Sequence, residues 1–306
     1  MRIDPLILGH NQFIGVDHLS QDRARNRTDR FSDIQKILDV VKSFYNLGGT
    51  GMMLSTHPKV RTIMEAIGSE PELSKNLNLY PLIPYAQAYV RKANEKGVVG
   101  MVTDALEPAS TYKKFKILLK GGVSVLRKDF LNILSTLIDV EMLPFKGFNV
   151  KAIFLHNVLT DLALSLDAQS IFEFYIDYIK DNYGVVPAFG TMNFARLVKS
   201  FDEWGIKKPL IMASFNKAGF QMNPSREECE RCLREHDVDV LAMSTLAAGY
   251  LKPKEAYEYL FSLPNIKSVV VGVSTKEHAE ETFGIIREYR GRMFEGAGNI
   301  SKYYNQ

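Results

Sequence analysis

The feature that most constrains this chain is an alternation. Short, β-rich apolar runs recur along its length, and stretches with helical spacing separate them. The runs are PLILGHNQF (5–13), TGMMLSTH (50–57), LYPLIPY (79–85), VKAIFLHN (150–157), VVPAFGTMN (185–193), PLIMASFNK (209–217), DVLAMSTLA (239–247) and SVVVGVST (268–275). Between them, residues 31–46 place Phe31, Ile34, Ile37, Leu38, Val41 and Phe44 on one helical face. Residues 168–182 do the same with Ile171, Phe172, Tyr175, Ile176 and Ile179. Residues 225–236 open with Pro224-Ser225 and acids in the first turn, a helix start, and 253–262 and 276–289 read alike. Strands apolar on both faces and separated by helices belong to a parallel sheet covered by helices. Eight such units predict one closed (β/α)8 TIM barrel over residues 1–306. No G-x-G-x-x-G follows the first run, which argues against an open dinucleotide-binding sheet.

One connection is too long for a plain barrel. About 65 residues separate the third and fourth runs, against a usual crossover of ~30. KGVVGMVTDAL, TYKKFKILLKGG and VSVLRKDFLNILSTLIDV read as extra helices, so a helical insertion over 98–145 is expected. The totals fit a single large domain: 306 residues, 46% hydrophobic, 24% charged. A net charge of +3 without long like-charge blocks gives no support to a nucleic-acid or membrane-surface partner. No apolar run approaches the ~20 residues of a spanning helix. The N-terminal MRIDPLILGHNQF lacks a secretory pattern, and a cytoplasmic protein is expected. The expected partner is a small-molecule substrate, and a homo-oligomer is compatible with the sequence.

In such barrels the working groups come from the C-terminal strand ends and the loops that follow. Those ends supply His10, Asn11 and Gln12; Ser55, Thr56 and His57; Tyr85 and Gln87; His156 and Asn157; Thr191 and Asn193. Ser214, Asn216 and Lys217 follow, then Ser244 and Thr245, then Ser274, Thr275 and Lys276. Polar strand ends also satisfy loop backbone groups, which is the plain reading for most of these Ser, Thr and Asn residues. His156 stands apart, because imidazole titrates near neutrality. Carboxylates are scarce here; Asp104 and Asp161 are the nearest, so no paired-carboxylate mechanism is visible.

Three other groupings carry chemical alternatives. His10, His57 and His156 converge in principle on one mouth and could hold zinc with an open position, although no carboxylate to orient them is obvious. QDRARNRTDR (21–30), after the first run, is either a solvated loop or an anion clamp. Lys217 suits an anion contact or, if desolvated, a Schiff base. Cys229, Cys232 and His236 share a helix face, and packing is their expected role.

Several segments, in order, resemble the aldo-keto reductase superfamily. AIFLHN is similar to the family's fourth strand and its catalytic histidine, with His156 on that position. FGTMNF resembles the segment after strand five, with Gly190, Asn193 and Phe194 matching and Met192 in place of serine. MSTLAAGYL resembles the segment after strand seven through Ser244, Leu246, Gly249 and Leu251. VVVGVSTKEHAEETF resembles the last strand and helix through Gly272 and Glu281, and LILGHNQFIG the first strand through Gly9, Phe13 and Gly15. The resemblance covers about half of the chain. It implies NADP or NAD, with Asn193 on the nicotinamide amide and the phosphates held around Ser244 and Ser274, Thr275 and Lys276. It also implies that His156 polarises a substrate carbonyl.

The family's aspartate, tyrosine and lysine are not matched. Leu54 falls near the aspartate position, and Tyr85 stands where lysine is expected. The sequence therefore predicts a reductase-like enzyme with His156, His57, Tyr85 and Lys217 as candidate catalytic groups. Asn11, Gln12, Asn157 and Asn216 would contact a small polar or anionic substrate. A non-redox lyase or hydrolase using the histidines, and a binding barrel without chemistry, are the alternatives.

Overall fold

The computed structural model describes residues 3–15, 21–84, 124–273 and 275–300. Its strands are β1 (Leu6–Leu8), β2 (Gly51–Ser55), β3 (Asn78–Ile83), β4 (Asn149–Val150), β5 (Ala152–Leu155), β6 (Val186–Gly190), β7 (Leu210–Ser214), β8 (Asp239–Met243) and β9 (Ile266–Val271). All pairings are parallel. β1 joins both β2 and β9, and β2 joins β3, so the sheet closes on itself. β4 and β5 lie end to end along β3, through Asn78↔Asn149 and Leu82↔Phe154. They form one stave interrupted at Lys151, which leaves the eight staves of a (β/α)8 barrel. Each expected run overlaps its strand and extends past its end, because the polar tails turn into loops; β3, β4 and β9 begin one or two residues before their runs, at Asn78, Asn149 and Ile266. After Leu8, for instance, Asn11–Ile14 form one 3-10 turn.

The helices are α1 (Gln21–Arg30), α2 (Ile34–Asn46), α3 (Lys59–Gly68), α4 (Pro71–Asn76), α5 (Ser124–Met142), α6 (Asn157–Ser165), α7 (Gln169–Tyr183), α8 (Phe194–Glu203), α9 (Arg226–Glu235), α10 (Pro253–Phe261) and α11 (Lys276–Ile300). The helix start expected at Ser225 operates, its side chain accepting from Glu228 N–H, and Asp33 caps α2 in the same way by accepting from Gln35 N–H. QDRARNRTDR is helix α1, not a loop, and its Arg25 and Arg30 are exposed. In the long connection, α5 buries Leu134, Ile138 and Met142 and packs on β3 and α7, as the crossover helix of that unit. The rest of the expected insertion, 98–123, lies outside the described residues. No helix among the described residues is long and apolar enough to cross a membrane.

Strand period two sorts the core into shells. Ile7, Met53, Tyr80, Leu82, Ala152, Phe154, Ala188, Leu210, Met212 and Leu241 fill the interior. Leu8, Met52, Leu54, Ile153, Phe189, Ile211 and Val240 face the helices. Leu54 is thus excluded from the mouth, and Met53 and Ser55 are the inward residues of β2. At the opposite, N-terminal end, the Asp4 carboxylate accepts from Thr50 Oγ1 at 2.5 Å, Tyr80 OH at 2.5 Å and Asn78 Nδ2 at 2.9 Å.

Candidate active site

Two histidines stand at one height over the barrel. Ser55 is level with Leu82, and Leu155 with Ile83, so His57 and His156 flank Pro84 from either side of β3. The His156 N–H donates to Ile83 O at 2.7 Å, which carries the sheet register one residue past β5. Each ring then caps the helix that follows. His156 Nδ1 accepts from Val158 N–H at 3.3 Å, at the start of α6. His57 Nδ1 accepts from Lys59 N–H at 3.1 Å, at the start of α3. A neutral imidazole whose Nδ1 accepts a backbone N–H must carry its proton on Nε2. Both rings are therefore fixed as Nε2–H donors. Burial holds His156 down at about 4, so it is neutral at physiological pH.

His10 is the third ring, 4% exposed. Its Nε2 accepts from Ser55 N–H at 3.1 Å and lies 2.7 Å from Ser55 Oγ. Burial, then the neighbouring His57 and His156 rings, push it down to about 3. His57 and His156 thus lie near enough to His10 to weigh on its charge. The three rings do not make the expected zinc alternative, however. Among the described residues no three His, Cys, Asp or Glu side chains form a metal-ligand group. The Nε2 of His10 is engaged by Ser55, and the other two rings use Nδ1 for their caps.

The turn after β6 is organised by a residue that motif reading passed over. Asp161, on the second turn of α6, accepts from Thr191 Oγ1 at 2.5 Å and from Met192 N–H at 2.9 Å. Thr191 Oγ1 in turn accepts from Asn193 N–H at 2.8 Å. Burial raises the Asp161 carboxyl, and Thr191, Met192 and the Asn193 side chain oppose that shift. The signal in the sequence was the spacing: Asp161 lies five residues after His156, which puts it on the helix His156 caps.

The loops after β7 and β8 pack together. Phe220 and Leu246 cover Ala247, Leu251 and Ala256. Ser244, Ala247, Ala248 and Gly249 all have positive φ, an uncommon run for residues with side chains. Gly249 N–H donates to Leu246 O at 2.9 Å, so this glycine (φ 92°) serves the turn itself. At the start of α11, Thr275 Oγ1 accepts from His278 N–H at 3.1 Å. Lys276 begins the helix, and Glu281 is exposed farther along it.

Several expected contacts are reassigned. Gln12 is 4% exposed, and its Nε2 donates to Gly9 O and Val273 O at 2.8 and 2.9 Å, tying β1 to β9. Asn216 is fully buried and closes its own loop, exchanging two 2.8 Å bonds with the Phe220 backbone. Both amides are committed to the backbone and leave little for a substrate. Lys217 is half-exposed and pairs with Glu255 at 2.8 Å, so it has neither the desolvation a Schiff-base lysine needs nor an uncompensated charge for an anion. Asn11 is exposed beside β1, and Asn157 is half-buried next to His156. Tyr85 and Ser274 lie outside the described residues. Cys229 and Cys232 are buried and free, as packing required, while His236 leaves the helix face in an extended conformation.

No protein-family model matches the sequence, and no curated protein matches it. Its fold is shared with solved structures. A protein from Pseudomonas aeruginosa classed as an aldo-keto reductase superposes with a TM-score of 0.58 at 11% identity, over 93% of this chain and 90% of that one. One classed as a 2,5-diketo-D-gluconic acid reductase B gives 0.55 at 10% identity, over 96% and 91%. An aldo/keto reductase from Brucella melitensis gives 0.52 at 14%, over 92% and 88%. The chain therefore has the barrel fold of aldo-keto reductases, and at these identities it is the fold that the likeness establishes.

Proposed function

We propose that this barrel is an NADPH- or NADH-linked carbonyl oxidoreductase acting on a small polar or anionic substrate at the C-terminal mouth. One observation carries the reading: His156 is a neutral ring at that mouth whose capping bond fixes it as an Nε2–H donor. Such a donor suits a carbonyl oxygen that gathers negative charge during reduction. His57, fixed the same way on the other side of Pro84, is a second donor of the same kind. A neutral imidazole polarises well but is a poor acid, so the proton that ends on the product oxygen comes from another group. Tyr85, close after β3, is the phenol we assign to that role.

The chain's own groups suit a nicotinamide cofactor in part. Asn193, at the start of α8, would hold the carboxamide. The left-handed turn around Ser244 and Leu246, with Thr275 and Lys276 at the head of α11, would face the phosphates, and Ser274 is assigned to the same role from its place in the sequence. When bound, the cofactor would supply the hydride. Titration of the purified protein with NADPH and NADH, followed by fluorescence and heat, tests this. Saturable binding in the micromolar range is expected. His156→Gln is expected to keep that affinity while lowering carbonyl turnover by about 10²–10³. No binding at millimolar coenzyme would overturn the reading.

A further inference from the structure

We propose that the cavity between the C-terminal ends of α5 and α7 is a binding site for a small organic cation, a primary ammonium that carries an apolar body. It lies at the N-terminal end of the barrel, away from the histidine mouth, and the inference is independent of the nicotinamide reading.

The cavity has a volume of about 460 Å³, enough for a small ligand. Met142, Phe145, Phe148, Val150 and Val185 give it apolar walls, and Asp139 is the one carboxylate among its lining residues. Asp139 sits in the last turn of α5, where the helix dipole already directs negative charge, so an acid there is unfavourable by itself. The Tyr178 and Tyr183 hydroxyls donate to its Oδ1 at 2.8 and 2.6 Å. Both donors are neutral: burial, and then the carboxylate itself, raise the two phenols, so they keep their protons. The negative charge is therefore held in place but not cancelled, and among the described residues no lysine or arginine pairs with it. Lys146 also lines the cavity, but it is exposed and stops short of the carboxylate. α7 ends at the same cavity, at Tyr183, and adds a second helix C-terminus, with Lys180 the one base in its last turn. Aromatic rings stand beside the charge. Phe174 stacks on Tyr178 at 5.5 Å, and Tyr178 meets Tyr183 edge-on at 6.4 Å. Rings and a carboxylate together attract a cation. Oδ2 of Asp139 accepts from Tyr178 at 2.8 Å and keeps lone-pair capacity for the N–H groups of an ammonium. Leu143, 59% exposed, supplies apolar surface that the body of the ligand would cover.

The test titrates three probes into the full chain by calorimetry at neutral pH: 2-phenylethylamine, a cation there, its neutral counterpart 2-phenylethanol, and the anion 3-phenylpropionate. The amine is expected to saturate and to bind about tenfold more tightly than the alcohol, with the anion weaker than either. Asp139→Asn keeps an acceptor for both phenols but removes the charge, and should bring amine and alcohol within about threefold of each other. Leu143→Lys changes an exposed side chain and sets a cation beside the cavity; it should weaken the amine by about threefold while leaving the alcohol within about twofold. Equal binding of amine and alcohol by the wild type, or a preference for the anion, overturns the inference whatever becomes of the variants. So does an amine that fails to saturate at high millimolar concentration, and so does a folded Asp139→Asn that keeps the wild-type preference. None of these results bears on coenzyme binding at the mouth, so the two readings stand or fall separately.

Discussion

A histidine whose Nδ1 accepts a backbone N–H has one place left for its proton, and His57 and His156 meet that condition at equivalent points of two β/α units. The cost of burying His10 and His156 shows in how stability follows pH. In the unfolded chain His10 and His156 titrate near the ordinary 6.5; in the fold they are held at about 3 and about 4. As pH falls, the unfolded state takes up protons first. The stability these rings contribute is complete above about pH 6.5 and is lost as pH drops towards the folded values. Urea midpoints should therefore fall steeply between pH 7 and 4, by a free energy on the order of a few kcal/mol. His10→Gln should flatten that slope. A slope unchanged by the substitution would show that the buried imidazole is not its source.

At the scale of elements, the barrel closes at a seam that one side chain fastens. Gln12 spans from the β1 end to Val273, and it leaves no room beside β9: a Cβ on Gly272 would lie 2.6 Å from Gln12 Oε1. Gly272, the match to the family's last strand, thus leaves the room that the Gln12 amide fills at the seam. Gly272→Ala should push the amide off its two carbonyls and destabilise the protein by about 1–2 kcal/mol. Because the conflict is with one side chain, the Gln12→Ala/Gly272→Ala double variant should be no less stable than Gln12→Ala alone. Additive losses in thermal melts would place the strain elsewhere. Elements also decided what motif reading could miss. α6 and α8 were not assigned from periodicity, and without α6 there was no reason to bring Asp161 to Asn193.

The whole molecule separates its stabilising end from its working end. Asp4, Thr50, Asn78 and Tyr80 close the bottom of the barrel, while the three histidines gather at the top. Tyr80→Phe removes a donor from the Asp4 carboxylate and a partner from Asp4 N–H. It should cost about 1–3 kcal/mol in denaturant unfolding yet leave ligand affinity at the mouth unchanged. A change in that affinity would mean the two ends are coupled. The alternation of apolar runs and helical faces determined the closed barrel from sequence alone, because burying both faces of eight short strands leaves few other solutions. The polar ends of those runs marked the mouth, and His156 within it, for the same local reason. Only the tertiary structure decided which polar groups are occupied. Gln12 and Lys217 look available along the chain, yet Val273 and Glu255 reach them only through folding, and Asn216 is used up within its own loop. Strand register turned Leu54 outward, and helix starts fixed the protons of His57 and His156. Side-chain type is a property of the sequence, but hydrogen-bond satisfaction belongs to neighbours, and neighbours distant in the chain are set by the fold.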